Sequence, residues 1–382
     1  MGGGHGRARL RGWMEDAAEP RVLPTMNMPQ TALVTGAAGF IGAAVTRELL
    51  GVGARVIAVD DLSAGDLARL EGLPGDLLEV VQGDASDPAL LSRLLSSGPD
   101  VVIHLAGRVG VRTVLSDPEL CERENVQLGA AVAGAIAGHS YGGARPRVLA
   151  ASTSEVYAES AAPLSEASSL RPRIASGRWR YAASKLACEE AFDEALGVDG
   201  PRPVHLRFFN VVGPGQDGSS GMVLPRFVEA ARASAPLTIH GGGGSVRTFA
   251  HVEAVAHDIA ALALPQLFGD GSRAACLADV EGPLNLGGMA RATVLELAQE
   301  VALAASRRGL APSPLEHVDP RVTISPRFDE VLHRVPDLTR LRGLGLGRDP
   351  WSLKDIVEDT FARHTAPGAV LAGEPLCVSP AS

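Results

Sequence analysis

A tyrosine and a lysine in the middle of the chain have the spacing that general-base chemistry needs. The segment from Trp179 to Phe192 is predicted to be helical, and Tyr181 and Lys185 fall one turn apart on one face of that helix. The pKa of a tyrosine, ordinarily near 10, must fall by about three units, roughly 4 kcal/mol, before the hydroxyl can act as a base near pH 7. A neighbouring ammonium, or another positive charge close to the hydroxyl, would lower it. Thr153, at the carboxyl end of its strand, is placed to hydrogen-bond the same substrate hydroxyl. The alternative is that the tyrosine and the lysine simply lie on the helix surface and have no catalytic role.

Three glycines near the start of the folded chain are spaced for binding a pyrophosphate. Gly36, Gly39 and Gly42 follow a short apolar run and lead into helical sequence. We expect Gly36 to permit a tight turn, Gly39 to let the backbone approach the pyrophosphate, and Gly42 to let the helix pack closely on the sheet. The helix N-terminus then offers N–H groups and positive partial charge. An isolated glycine triplet also fits an ordinary loop.

Acidic and small residues at the ends of the next strands support a dinucleotide site. Asp60 ends the second apolar run 18 residues after Gly42, close to the roughly 20 expected for a carboxylate that binds the adenosine ribose. Because its charge would repel a 2′-phosphate, Asp60 predicts NAD rather than NADP. Asp84 follows the third strand and either caps a loop or accepts from the adenine amino group. His104, just before the small residues that end at Gly107, is interpreted as a hydrogen-bonded residue of the sheet rather than a catalytic one.

Composition excludes several functional classes. The chain has 382 residues, 46% of them hydrophobic, and a net charge of −9, which argues against nucleic acid or an anionic membrane as the main partner. Its four cysteines form no C-x-x-C pair, so we expect reduced thiols and no metal site. We find no apolar run of membrane-spanning length and no apolar core of a signal peptide, which predicts a cytoplasmic protein.

Strand and helix patterns alternate from Ala32 onward, which predicts successive βα units on a parallel sheet. The predicted fold is α/β, a Rossmann-type doubly wound sheet with a smaller C-terminal α/β substrate-binding lobe. Residues 1–28 are expected to be a disordered extension. Residues 29–212 and about 248–290 form the NAD-binding domain in this prediction, about 213–247 and 291–365 form the second lobe, and 366–382 form a tail.

Several motifs together resemble one known family. The segments Thr35 to Gly42, Thr153-Ser-Glu-Val-Tyr157, Tyr181-x-x-x-Lys185 and Phe209 to Pro214, with Asp60 and Asp84, are similar to those of extended short-chain dehydrogenases/reductases of the nucleotide-sugar epimerase/dehydratase type. The resemblance runs from about Ala32 to about residue 360. It implies an NAD cofactor, a UDP-sugar substrate held mainly by the C-terminal lobe, and a homodimer.

The resemblance also assigns residues to roles. Tyr181 is the expected base, Lys185 lowers its pKa and binds the nicotinamide ribose, and Thr153 orients the sugar hydroxyl, with Ser154 and Glu155 beside them. The residues expected at NAD are Gly36, Gly39, Phe40, Ile41, Gly42, Asp60, Asp61, Asp84, Ala85, Leu105, Ala106, Gly107, Asn125, Tyr181, Lys185 and Phe208. The residues expected at the nucleotide diphosphate and the rest of the substrate are Asn210, Val223, Arg226, Arg247 and Arg334. Permanently charged arginines suit a phosphate pair.

Four positions depart from the family pattern. Ala158 stands where the family usually has glycine, Gly107 where it usually has alanine, and Gly215 and Leu332 where it commonly has arginine. The last two leave the details of the substrate pocket open, and Arg334 takes the role of the missing late arginine only if its loop shifts.

The resemblance implies oxidation at sugar C4 to a transient 4-keto sugar, whose fate separates the subclasses. Segments near Gly110, Trp179 and Met222 favour C4 epimerisation of UDP-glucuronate or UDP-glucose. Glu155, within a Thr-Ser-Glu sequence, points to the runner-up, decarboxylation of UDP-glucuronate. Elimination to a 4-keto-6-deoxy sugar is less favoured because Ser154 replaces the acid of an Asp-Glu pair. A catalytically silent NAD-binding protein is disfavoured by the intact reactive residues.

Overall fold

The computed structural model describes residues 29–172, 177, 179–197, 202–269, 271–323, 331–364 and the backbone of 378–380. The predicted extension at 1–28 and most of the predicted tail at 366–382 therefore lie outside the described residues. None of the described helices is long and apolar enough to cross a membrane.

A parallel sheet forms the centre of the molecule. Its strands in chain order are β1 (Thr31–Thr35), β2 (Arg55–Asp60), β3 (Leu78–Gln82), β4 (Val101–His104), β5 (Arg147–Thr153), β6 (Val204–Phe208) and β10 (Gly282–Leu286). They lie in the order β10-β6-β5-β4-β1-β2-β3 and every neighbouring pair is parallel. The strands are apolar runs because helices cover both faces of the sheet. The Rossmann-type prediction is confirmed.

Helices pack on both faces of this sheet. Those of the first lobe are α1 (Phe40–Gly51), α2 (Pro88–Leu95), α3 (Val111–Ser116), α4 (Pro118–Gly138), α5 (Trp179–Leu196), α7 (Val252–Ala263) and α8 (Gly271–Ala278). One core cluster joins α1 and α7 to the sheet through residues such as Leu49 and Ile259. A second joins α2, α4 and α5 to the other face through Leu91, Ile136 and Phe192.

A smaller set of elements has its own core. Its strands are β7 (Val211–Val212), β8 (Leu237–His240), β9 (Val246–His251), β11 (Ala290–Thr293), β12 (Leu315–Val318) and β13 (His333–Arg334). Its helices are α6 (Val223–Arg232), α9 (Val294–Arg307), α10 (Pro320–Thr323), α11 (Thr339–Gly343) and α12 (Leu353–Arg363). Phe227, Val301 and Phe361 meet in this core. The domain boundaries given above remain a prediction.

Three parts of the chain differ from the prediction. The apolar run from Val204 onward predicts a strand that reaches Asn210. The strand ends at Phe208, because Asn210 takes a left-handed conformation with φ of +36° and the chain then turns to pair with β9. Residues after about 365 were expected to be a frayed tail, but Val378–Pro380 forms β14 beside β3. β3 otherwise ends the sheet with unpaired backbone groups, which makes such an added strand favourable. The short strands β11 and β12 and helix α12 have weak periodic patterns and were not predicted.

Candidate active site

The glycine turn between β1 and α1 forms a tight cradle. Gly36 has φ of +71° and its N–H donates to Val59 O at 2.8 Å. A β-carbon added at Gly36 would lie 2.6 Å from the backbone nitrogen of Ala106, so a side chain does not fit there. One added at Gly42 would collide with Gly36 O, so Gly42 packs against the turn itself rather than against the sheet as expected. Gly39 has its own close neighbour, Gly36 O, at 3.0 Å from such a carbon.

The N-terminus of α1 is suited to an anion. Gly39 is its N-cap and supplies no side-chain cap, and the first turn, which begins with Phe40 and Ile41, contains no acidic residue. Helix N–H groups without a side-chain acceptor, together with the helix dipole, attract phosphate. The turn and the helix therefore fit the pyrophosphate of NAD.

Asp60 supports the turn from the end of β2. Its carboxylate oxygens accept from the N–H groups of Ala38 and Leu62, each at 2.9 Å. Burial raises the pKa of Asp60, and these two hydrogen bonds oppose the rise. The adjacent Asp61 is exposed and accepts from the N–H of Ser63 at 2.9 Å in a local turn. Of these two acids, Asp60 is the one that contacts the glycine turn, and its ribose contact remains a prediction.

Two further predicted cofactor residues make contacts within the protein. Asp84 is exposed and accepts from the N–H of Ser86 at 2.7 Å, which is the loop-capping alternative; Ala85 beside it is buried. Asn125 is buried and holds the backbone of Arg108, accepting from its N–H at 2.8 Å and donating to its carbonyl at 3.1 Å. Asn125 therefore shapes the segment after β4.

That segment, Leu105 to Gly107, lies beside Lys185. The N–H of Leu105 donates to Thr35 O at 3.0 Å, and a β-carbon at Gly107 would lie 3.2 Å from Lys185 Nζ. Glycine at 107 thus keeps space open next to the ammonium. His104, at the end of β4, is buried within 2.8 Å of Thr35 Oγ1, and burial lowers its pKa to about 3, so it is a neutral residue of the sheet as interpreted.

The predicted catalytic residues converge from β5 and α5. Thr153 hydrogen-bonds Tyr181, and Lys185 is buried one turn further along α5. Thr153 Oγ1 also accepts from the N–H of Glu155 at 3.2 Å. The expected lowering of the tyrosine pKa does not occur in the protein alone: burial raises the pKa of Tyr181, and the negative charge of Glu155 raises it further. The hydrogen bond from Thr153 opposes this rise, and a positive nicotinamide ring would add to that opposition.

Glu155 forms an ion pair that was not expected. Arg334 Nη1 donates to Glu155 Oε1 at 3.0 Å, and both side chains are largely buried. They line one cavity with Ser154, Trp179 and His333. Arg334 was predicted at the diphosphate; in the structure it contacts Glu155, whose charge acts on Tyr181. The hydroxyl of Ser154 is buried without a hydrogen-bond partner among the described residues.

The other predicted substrate residues lie on β9, α6 and the turn after β6. Arg247 is in register with Arg334 on neighbouring strands and donates to Val331 O at 2.6 Å. Asn210 Nδ2 donates to Thr248 O at 2.9 Å. Arg226, near Val223 at the start of α6, lines a separate cavity of about 430 Å³. Burial, and then the charge of a neighbouring arginine, lower the pKa of Arg226. Phe208, which was predicted at NAD, packs against the core cluster that joins α1 and α7 to the sheet.

Sequence reasoning missed a buried polar network under the site. Arg207 donates to both carboxylate oxygens of Glu189 at 2.9 and 2.6 Å and to the hydroxyl of Tyr157 at 3.1 Å. Tyr157 donates to Asn285 Oδ1 at 2.6 Å. The one feature of the sequence that pointed to this network was the spacing of Glu189, which lies one turn after Lys185 and therefore on the same face of the helix. Among the described residues no group of three His, Cys, Asp or Glu side chains is arranged to hold a metal.

Comparisons with known proteins point to one family. Residues 32–268 match the model of the NAD dependent epimerase/dehydratase family. The chain is 31% identical to the UDP-N-acetyl-alpha-D-glucosaminuronate decarboxylase of Bacillus cytotoxicus, over 82% of this chain and 91% of that protein. The Thermus thermophilus UDP-glucose 4-epimerase, solved with NAD, aligns with 28% identity and a TM-score of 0.70 over 89% of this chain and 100% of that one. The structure of MoeE5 with UDP-glucuronic acid and NAD aligns with 27% identity and a TM-score of 0.67 over 87% of this chain and 98% of that one. The chain therefore belongs to the NAD-dependent epimerase/dehydratase family of extended short-chain dehydrogenases/reductases, as an enzyme of the group that includes the UDP-sugar epimerases and decarboxylases.

Proposed function

We propose that this enzyme oxidises a UDP-hexuronate at C4 and that the 4-keto acid then loses CO2. The observation that carries the proposal is the Glu155–Arg334 pair beside Tyr181. A guanidinium carries five N–H donors, so Arg334 can hold Glu155 and a substrate carboxylate together. The named relatives that act on or bind hexuronates add support. A UDP-hexuronate was among the expected substrates. Because of the Glu155–Arg334 pair, we now favour decarboxylation over the epimerisation that the sequence favoured.

The residues divide the chemistry as follows. Tyr181 takes the proton from the sugar O4 while Thr153 holds that oxygen and Lys185 stabilises the tyrosinate. The glycine turn, Asp60 and Lys185 would hold NAD, which would supply an acceptor and donor of hydride for C4. Arg334 holds the carboxylate so that the C5–C6 bond aligns with the carbonyl π-system, and the electrons of that bond move toward O4 as CO2 leaves. Glu155 passes a proton taken from solvent to C5, which restores the 4-ketone. Tyr181 then returns its proton to O4 as that ketone is reduced.

The charged carboxylate of Glu155 favours loss of CO2 over epimerisation as the fate of the 4-keto acid. That charge raises the pKa of Tyr181, which opposes the first proton transfer. In epimerisation the hydride returns to C4 and Tyr181 alone handles the proton of O4. Loss of CO2 also requires a proton at C5, which Glu155 can pass on. Epimerisation also requires the keto sugar to rotate within the site, so that the hydride returns to its opposite face. An arginine that holds the sugar carboxylate would oppose that rotation.

C4 epimerisation of the same UDP-hexuronate is the second candidate. Its support is the presence of UDP-glucuronate 4-epimerases among the relatives, from Arabidopsis thaliana and Rhizobium meliloti. We also propose a homodimer in the cytoplasm, supported by the family resemblance and by cysteines without a disulfide pattern.

A comparison of substrates tests the proposed substrate class. We expect the enzyme to convert UDP-glucuronate or its N-acetylated relative and to leave neutral UDP-glucose nearly unchanged, with products identified by NMR. Arg334→Met should lower kcat/KM for the hexuronate by about tenfold to a hundredfold, the effect of losing hydrogen bonds to a charged group. Arg321→Met, at an exposed arginine, is the control. Equal kcat/KM for UDP-glucose and the hexuronates would contradict the proposal.

A further inference from the structure

Arg69 joins the glycine turn to a segment of the second lobe. It ends a short 3-10 turn, Leu67–Arg69, after β2. Its Nη1 donates to Ala38 O at 3.0 Å, inside the glycine turn. Its Nε and Nη2 donate to Gly215 O at 3.3 and 3.2 Å. One guanidinium therefore contacts both lobes, and the planar fork of arginine allows this arrangement.

The contact at Ala38 lies directly under the cofactor cradle. The N–H of Ala38 donates to Asp60 Oδ2 at 2.9 Å, while its carbonyl accepts from Arg69. The charge of Arg69 also acts to lower the pKa of Asp60. Arg47, on α1, donates to Arg69 O at 3.2 Å and fixes the backbone of the 3-10 turn. A change in the cradle on cofactor binding would therefore reach Arg69.

The contact at Gly215 lies in the segment 213–222, which connects β7 to α6. Gly215 has φ of +81°, a conformation that favours glycine. The segment has Asn210 shortly before it and Val223 directly after it, both predicted to contact substrate. It also touches the first lobe at a second point, where Ser220 O accepts from the N–H of Arg112 at 3.1 Å. That second contact uses only backbone atoms.

We propose that Arg69 is a positioning residue that couples the cofactor cradle to segment 213–222. Binding of the dinucleotide at the cradle fixes Ala38 and hence Arg69, and Arg69 then fixes the segment from which substrate contacts extend. A ligand that orders one end reduces the cost of ordering the other, which produces positive coupling between the two sites. The part that concerns substrate affinity rests on the proposed function.

Amide hydrogen exchange of the full-length protein with and without NADH tests this proposal. In the wild type, NADH should slow exchange in segment 213–222. Arg69→Met keeps much of the side-chain length and removes every donor, so NADH should still bind but should no longer slow exchange there. Arg93→Met, at an exposed arginine on α2, is the matched control and should behave as wild type. Slowing that persists in Arg69→Met, or is absent from the wild type, overturns the proposal.

Affinity for UDP gives a second measurement that separates this proposal from the proposed function. NADH should tighten UDP binding by about fivefold or more in the wild type, a typical allosteric coupling, and this gain should shrink toward unity in Arg69→Met. A gain that Arg69→Met retains in full argues against a coupling role. If the wild type fails to bind UDP, the proposed substrate class is wrong, and the exchange experiment still decides the role of Arg69.

Discussion

The hydroxyl of Tyr181 lies among groups that oppose its ionisation. Burial and the charge of Glu155 raise its pKa, while the hydrogen bond from Thr153 opposes that rise. The helix spacing in the sequence was enough to place Tyr181 near Lys185, because i and i+4 side chains share a face. It could not reveal the ion pair of Glu155 with Arg334, which are 179 positions apart. Nor could it reveal the burial that, together with the charge of Glu155, raises the pKa of Tyr181.

Replacing Tyr181 by phenylalanine tests its role as the base. Tyr181→Phe removes one oxygen, and we expect it to keep the fold and NADH affinity while turnover falls by about two orders of magnitude or more, as for loss of a general base. Steady-state kinetics with the preferred nucleotide sugar measure this. Tyr141→Phe is the control, since the hydroxyl of Tyr141 only donates to a backbone carbonyl at the end of α4. Wild-type turnover in Tyr181→Phe would remove the residue from the mechanism.

At the scale of elements, a buried polar network joins Ser152 on β5, Arg207 on β6, Glu189 on α5 and Asn285 on β10, near the predicted catalytic residues. Arg207 on β6 and Glu189 on α5 form its charged centre, and both are at least nine-tenths buried. The partner carboxylate and Tyr157 raise the pKa of Arg207 against the effect of burial. The central strands were predictable since each is an apolar run. Which polar side chains meet between them depends on strand order, which the sequence pattern leaves open.

Neutralising Glu189 should destabilise the fold, because the buried polar network would lose its negative charge. Glu189→Gln keeps the shape but leaves the Arg207 charge buried without its counter-charge, so the free energy of unfolding should fall by about 3 to 5 kcal/mol. Adding Arg207→Met should recover part of that loss. Urea unfolding followed by circular dichroism measures both variants. Glu194→Gln, at an exposed position of the same helix, should change stability by no more than about 0.5 kcal/mol. A loss in Glu189→Gln no larger than this control would show that the pair contributes little.

At the scale of the whole molecule, the Glu155–Arg334 pair joins the two predicted lobes, which would supply different parts of the predicted site. The first lobe provides the glycine cradle, Thr153, Tyr181, Lys185 and Glu155, and the second provides Arg334 through strand β13. The Rossmann lobe was predictable in detail, because its βα units repeat a strong pattern. The second lobe was less so, because strands of two to six residues carry little periodic signal. The contact between the lobes is also the one that distinguishes the two candidate reactions.

The fate of carbon 6 tests this account most directly. The NAD-loaded enzyme would be incubated with UDP-glucuronate, or its N-acetylated relative, carrying carbon-13 at C6, and both the nucleotide sugars and dissolved bicarbonate would be followed by NMR. We predict that the label leaves as bicarbonate while a UDP-linked pentose forms in equal amount. Label that stays in a C4-inverted UDP-hexuronate would contradict decarboxylation and establish epimerisation instead.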